Sequence, residues 1–361
     1  MNDNLIHHFL NLVCIDSPSG EESFVADYLK KWFDEYVFEY KTDTVGNIYA
    51  CRRGSGNPFL FSGHMDTVEP GRGIKPIVEN DVIKSNGTTI LGADNKAALA
   101  AILGAVEEYL QEIEDPRTIE LVFTVKEETG GGIEHFPFGW IQSRCGVLFD
   151  FAVPVGGIVL SSPFITNFRV VFTGKAAHSR APEKGINALI PAAAFISKIE
   201  QGNIDDGKTT VNIGMCNGGT GINIIPGEVI VEGEVRSFDK NLFENRISII
   251  EQTAKHCAAD GTVCVLFTQE GFCPGYTFLE HTPLIKSIVA VFDEVGISSS
   301  FYHSTNITDS NVFIAAGIDV ITLSDGVEFP HTFNEQVSLK SLELLQCIVK
   351  KFLQAETTLQ I

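Results

Sequence analysis

Phe59-Leu60-Phe61-Ser62-Gly63-His64-Met65-Asp66-Thr67 reads as an apolar strand that ends in a histidine and an aspartate two residues apart. At a strand's period of two, both side chains face the same way. Strand-like runs precede it at 37–40 and 47–52. An Ala-rich helix follows over about 95–111, and a further strand over 119–125. Upstream, Ser19-Gly20-Glu21-Glu22 has the form of a capping box, and Phe24, Val25, Tyr28, Leu29, Trp32 and Phe33 keep helical spacing behind it. Strands alternating with helices imply an α/β fold whose mainly parallel sheet is covered on both faces.

Further out the order changes. Residues 168–174 read as a strand, 187–199 as a helix, 209–215 and 228–238 as strands, 240–259 as an amphipathic helix and 262–269 as a strand. This β-α-β-β-α-β order is the ferredoxin-like signature. Its flanks, Ser161-Ser162-Pro163 and Gly271-Phe272-Cys273-Pro274-Gly275, have the composition of connecting segments. Alternation then resumes with helix 283–295, strand 298–303, helix 309–316, strand 320–323 and a last helix over about 339–353. The expected organisation is a discontinuous outer domain, 1–163 with 274–361, interrupted by an inserted domain, 164–273.

The chain has 361 residues, 44% hydrophobic and 20% charged, which is enough for a large core and excludes disorder or a fibre. Its net charge of −20 opposes binding to nucleic-acid phosphates. The longest nearly apolar stretch, 151–160, falls far short of the roughly 18 residues that span a bilayer. The first residues lack a secretory signal, so a cytoplasmic protein is expected. Eight scattered cysteines without C-x-x-C spacing give neither a disulfide framework nor a thiolate zinc site.

Five candidate ligands fall at strand ends or the loops beyond them, where open α/β sheets place their sites. His64 closes the opening strand, with Asp66 beside it to orient the imidazole; a solvated strand end is the plain alternative. Asp94 leads into the Ala-rich helix, where capping would also explain it. Glu127 and Glu128 follow strand 119–125 and precede Gly130-Gly131-Gly132, so one can bind metal while its neighbour faces water. Asp150 closes another apolar strand, and His331 lies in a loop before Asn334-Glu335. Two histidines and three carboxylates suit two zinc ions sharing a hydroxide, with a first shell near neutrality. Asp94 is the natural bridge, holding the ions roughly 3.5–4 Å apart.

Gly63-His64-Met65-Asp66-Thr67, Gly92-Ala93-Asp94-Asn95-Lys96, Lys126-Glu127-Glu128-Thr129-Gly130-Gly131, Asp150 and His331-Thr332 resemble, in order and spacing, the dinuclear zinc metallopeptidase family of peptidase T, the aminoacylases and carboxypeptidase G. The resemblance spans nearly the whole chain and is nearest to the peptidase T-like branch. It implies His64 and Asp150 on one ion, Glu128 and His331 on the other, Asp94 between them, Asp66 clamping His64, and Glu127 as general base. It also implies a cis peptide at Asp94-Asn95 and a zinc-peptidase domain carrying an inserted ferredoxin-like lid and dimerisation domain.

In the insert, Gly174-Lys175-Ala176-Ala177-His178-Ser179, Gly221-Ile222-Asn223-Ile224-Ile225-Pro226-Gly227 and Glu234-Val235-Arg236-Ser237 resemble family motifs. By that resemblance His178 would donate to the oxyanion, and Asn223 and Arg236 would bind substrate. Bottom-up, the Arg236 fork suits a carboxylate, while an ion pair with Glu232 or Glu234 is its plain alternative. Two departures stand out: His303-Ser304-Thr305-Asn306-Ile307-Thr308-Asp309-Ser310-Asn311 replaces a Gly/Ser-rich loop before Asp-Ala-Asn, and Phe151-Ala152-Val153-Pro154 follows Asp150.

The expected function is a tripeptidase-type aminopeptidase that hydrolyses short peptides by a dinuclear zinc-bound hydroxide, with Co²⁺ or Mn²⁺ as alternative metals. The expected partners are the peptides and a second copy of the chain through the insert, with neither nucleic acid nor membrane. An N-acyl-amino-acid hydrolase or carboxypeptidase is the alternative within the family, and a non-catalytic peptide- or metal-binding protein the alternative outside it.

Overall fold

The computed structural model describes residues 3–355. The chain divides into two compact units. One comprises the residues up to Leu160, Phe278–Ser304 and those from Thr308 onward; the other comprises Ser161–Thr277 with Thr305–Ile307.

In the first unit the principal sheet has the order Glu39–Thr42, Ile48–Arg52, Ile119–Thr124, Phe59–His64, Cys145–Phe149, Asp319–Leu323, then the strand that begins at Gly157. The four strands from Ile119–Thr124 to Asp319–Leu323 run parallel. The pairings outside them are antiparallel. The sheet is therefore mixed, with its parallel strands confined to the middle. The parallel strands send their C-terminal ends to one rim, which collects the residues that follow them.

Period-two alternation assigns the faces. Phe59, Phe61, Ile119, Leu121, Phe123, Val147 and Phe149 join the apolar stripes of helices Asp3–Val13, Ser23–Glu35, Ala93–Glu112, Pro283–Val295 and Leu339–Gln354. Leu60, Val122, Leu148 and Val320 point the other way, onto Phe313 of helix Asp309–Ala315 and Ile318. Each fully buried side chain of this size contributes about 1.5–3 kcal/mol by leaving water. The Ala-rich helix Ala93–Glu112 lies hard against the central strand because both surfaces are small. A Cβ on Gly63 would come within 2.6 Å of Asn95 Oδ1 and 2.8 Å of Leu99 Cδ1.

The second unit follows the β-α-β-β-α-β order: Phe164–Thr173, Leu189–Lys198, Thr209–Gly218, Glu228–Ser237, Lys240–Cys257, Cys264–Cys273. Its antiparallel sheet runs Gly202–Ile204, Thr209–Gly218, Glu228–Ser237, Phe164–Thr173, Cys264–Cys273. Phe168, Val170, Phe172, Val229, Val231 and Val235 alternate onto one face and meet Phe195, Phe243, Ile247, Ile250 and Ala254 of the two helices. Asp239 caps the second helix, accepting from Asn241 N at 2.8 Å and Leu242 N at 3.1 Å.

Local expectation and structure part in three places. The helix expected behind Ser19–Glu22 begins at Ser23, and its N-cap makes no side-chain cap bond. Ser19 and Glu22 are engaged elsewhere: Ser19 Oγ donates to Asp66 at 2.6 Å, and Glu22 accepts from Gly20 N at 2.7 Å and Lys126 N at 3.0 Å. Ser161 and Ser162 close the strand Gly157–Ser162, and Gly271, Phe272 and Cys273 close the strand Cys264–Cys273, instead of connecting elements. A small sheet, ordered Val327–Glu328, Gln336–Ser338, Val82–Ser85, Pro76–Glu79, lies outside every expected element. Among the described residues no helix is long and apolar enough to cross a membrane.

Candidate metal centre

His64 is the last residue of the central strand, so the pleat sets its ring at the rim. Its Nδ1 lies 3.0 Å from the Asp66 carbonyl oxygen and 3.3 Å from Asp66 Oδ1, and its Nε2 lies 3.4 Å from Asp94 Oδ1. The other oxygen of Asp94, Oδ2, lies 3.4 Å from His331 Nε2, which in turn is 2.8 Å from Glu128 Oε1. One carboxylate thus offers a separate oxygen to each of two imidazoles. The Asp94-Asn95 peptide is cis, as the motif resemblance implies.

Asp66 is 0% exposed and organises its surroundings. Besides Ser19 Oγ it accepts from Glu127 N at 3.0 Å and Glu128 N at 3.3 Å, so the short 3₁₀ turn Glu127–Thr129 hangs from it. Lys126 enters that turn at φ 55°. His331, at φ 62°, lies in the loop between Val327–Glu328 and Gln336–Ser338. Glu335 fastens this loop to the one carrying Asp94, accepting from Leu91 N and Gly92 N at 2.9 Å each and from Asp94 N at 3.1 Å. Asn95 Nδ2 donates to the Phe149 carbonyl oxygen, tying the cis peptide to the strand that Asp150 follows.

Two sets of donor atoms come within 4.8 Å of one another: His64, Asp94 and Glu128, and His64, Glu127 and Asp150. His64 Nε2 and Asp94 Oδ1 are both buried and make no hydrogen bond. A buried polar atom without a partner is costly, and imidazole nitrogen facing carboxylate oxygen is the donor set that zinc and similar divalent ions take. The residues fit a metal.

The electrostatics agree. Burial works against charge on His64, yet the carboxylates of Asp66 and Asp94 beside its ring hold its pKa well above the ordinary value. Asp94 and Glu128 draw His331 up to about 10. Burial and the charge of Asp150 push Glu127 well up, and burial and the charge of Asp94 do the same to Asp150. Burial lifts Asp309 to about 7, although Thr124 Oγ1 donates to it. Carboxyls whose ionisation is opposed this strongly by burial and by one another gain from a divalent cation placed among them.

Several residues of the rim have no local signal in the sequence. Lys96 is buried, donates to Ile15 O at 2.8 Å, and is pushed down to about 8 by burial. A lysine in an Ala-rich helix was its only trace. Glu335 lies in the loop before Gln336–Ser338, Asp309 opens the helix Asp309–Ala315 and Ser19 precedes the helix Ser23–Glu35, so none stands directly at a strand end.

His178, Asn223 and Arg236 belong to the second unit. His178 sits in the two-residue strand Ala177–His178, paired with Ile224–Ile225, and Ser179 N donates to Asn223 O at 2.9 Å, so His178 and Asn223 are neighbours. Arg236 forks onto Glu234 at 2.6 and 3.0 Å and donates to Thr305 O at 2.9 Å.

A mixed α/β unit with a carboxylate- and histidine-lined rim defines a candidate site for divalent metal ions. Residues 164–262 match the M20 peptidase dimerisation domain. The chain is 34% identical to the uncharacterized protein YqjE of Bacillus subtilis, with 94% of each chain covered. Its fold superposes on aminopeptidase PepT of Bacillus cereus with a TM-score of 0.91 at 30% identity, and on a tripeptidase of Staphylococcus aureus with 0.88 at 30%, covering 98% of both chains in each case. The chain belongs to the M20 family of metallopeptidases. It is a metal-binding hydrolase that acts on peptide bonds, and its dimerisation domain points to a homodimer.

Proposed function

We propose that this protein is a tripeptidase-type aminopeptidase that uses two divalent metal ions, zinc by preference, to hydrolyse short peptides. The observation that carries the reading is the Asp94 carboxylate, with one oxygen 3.4 Å from each imidazole. His64 and Asp150 would hold one ion, Glu128 and His331 the other, and Asp94 both. When bound, the ions supply Lewis acidity toward the peptide carbonyl and toward water. Asp66 fixes His64 through Nδ1, which leaves Nε2 free to bind, and holds the Glu127 turn in place. A Glu127 carboxylate oxygen takes the proton of the attacking water and returns it to the leaving amine.

His178 would donate to the developing oxyanion, and Asn223 and Arg236 would hold the substrate carboxylate. Arg236 must exchange Glu234 for that carboxylate. A half-exposed pair of this kind is worth about 0–1 kcal/mol, so the exchange costs little. The second unit would also pair with a second copy of the chain. The eight cysteines are all free thiols, which suits the cytoplasm.

Metal analysis of the purified protein, followed by assays on tripeptides, dipeptides, N-acetyl amino acids and blocked peptides, tests the reading. Two divalent ions per chain and cleavage of tripeptides with a free N-terminus are expected. Preference for N-acetyl amino acids would replace it with an acylase, and binding without turnover would replace it with a non-catalytic protein.

A further inference from the structure

Asp325 is 1% exposed, and its Oδ2 has no hydrogen-bond partner. Its place is built, not accidental. The strands Cys145–Phe149 and Asp319–Leu323 are parallel neighbours, so the loops leaving them, with Asp150 and Asp325, emerge side by side at the rim. The two loops are cross-bonded: Asp150 N donates to Leu323 O at 3.0 Å, Asp325 N to Phe151 O at 3.2 Å, and Gly326 N to Val153 O at 3.2 Å. Ser324 Oγ accepts from Gly156 N at 3.0 Å and Gly157 N at 2.8 Å. Asp325 Oδ1 accepts from Val327 N at 2.9 Å, which fixes the side chain and leaves Oδ2 over.

A buried oxygen held this firmly without a donor is costly unless something takes the donor's place. The described charges that act on it most strongly are those of Asp94 and Asp150, both of its own sign. A cation bound beside Oδ2 would answer both the missing donor and the crowding of like charge.

We propose that Asp325 is a further acidic group of the metal centre, supplying negative charge through Oδ2 to the divalent cation held by Asp94 and Asp150. The proposal rests on the metal assignment above. Asp325 contributes affinity, not proton transfer: it is a positioning residue for the cation, and its removal leaves the five ligands in place. A carboxylate kept for this purpose opposes folding of the metal-free chain. The same substitution therefore moves metal affinity and metal-free stability in opposite directions, which a purely structural turn residue would not do.

The test compares the wild-type chain with Asp325→Asn, which retains the oxygen that accepts from Val327 N. Zinc dissociation constants are measured by chelator competition, and thermal midpoints on the metal-free proteins. Weakening of one of two ions by about 10–100-fold, the range for groups that support metal ligands, is expected, with an unchanged or higher metal-free midpoint. Unchanged zinc affinity overturns the proposal, as does a loss of metal-free stability with no change in affinity. Should Asp325→Asn not fold, Asp325→Ser carries the same comparison. Failure of the wild-type chain to take up two ions would instead defeat the metal assignment itself.

Discussion

Replacing Asp66 by asparagine probes the rim at the residue on which most of it hangs. The carboxylate accepts from Ser19 Oγ, Glu127 N and Glu128 N and faces His64 Nδ1, with no exposure to water. Burial raises its pKa, but these partners, His64 foremost, bring it below the ordinary value, so it is ionised and its bonds are charge-assisted. Such bonds contribute about 1.5–3 kcal/mol each. The amide keeps one accepting oxygen and turns an NH₂ against a donor on the other side. At least one bond is lost and another is opposed, a cost of about 3 kcal/mol. At 1.4 kcal/mol per decade this is about two decades, shared between metal affinity and turnover. The assay is kcat/KM on a tripeptide at saturating zinc, with zinc affinity by chelator competition and circular dichroism to confirm the fold. Ser19→Ala, which removes one bond, should lose about tenfold. If Asp66→Asn stays within about threefold of wild type in both affinity and kcat/KM, Asp66 does not organise the site as described.

Glu127→Ala should keep both metals and lose about 10²–10⁴-fold in kcat, the range of general-base catalysis; near-normal turnover in a stopped assay would remove Glu127 from proton transfer. Arg236→Ala should raise KM for free-acid peptides far more than for their C-terminal amides, and equal effects on both would refute carboxylate recognition. Glu107 accepts from Trp32 Nε1 at 2.7 Å and lies 2.8 Å from His8 Nε2. Burial raises its pKa, but these bonds bring it below the usual value. Its contribution is therefore present above the unfolded value of about 4.3 and lost as pH falls through the lower folded value. The thermal midpoint of Glu107→Gln should trail wild type at neutral pH and converge with it in acid, and a gap constant across pH would contradict this.

What the sequence made legible was set by near neighbours. The helix Pro283–Val295 and the β-α-β-β-α-β order of the second unit follow from apolar periodicity and turn residues, so they could be read locally. The rim was legible in outline because side chains at strand ends must share an edge. Ser19–Glu22 misled because a capping box is a local inference, and Asp66 and Lys126, distant in sequence, compete for the same side chains. Glu335 escaped notice for the same reason: the three amides it holds lie far earlier in the chain. The small sheet around Gln336–Ser338 joins strands too short for any periodic signal.

The strand Asp319–Leu323 slots between Cys145–Phe149 and the strand that begins at Gly157, both of which leave the ribosome long before it. Until its synthesis neither the strand that joins those two nor His331 exists. A half-made copy carries His64, Asp66, Asp94, Glu127, Glu128 and Asp150 but not the imidazole that lies 2.8 Å from Glu128.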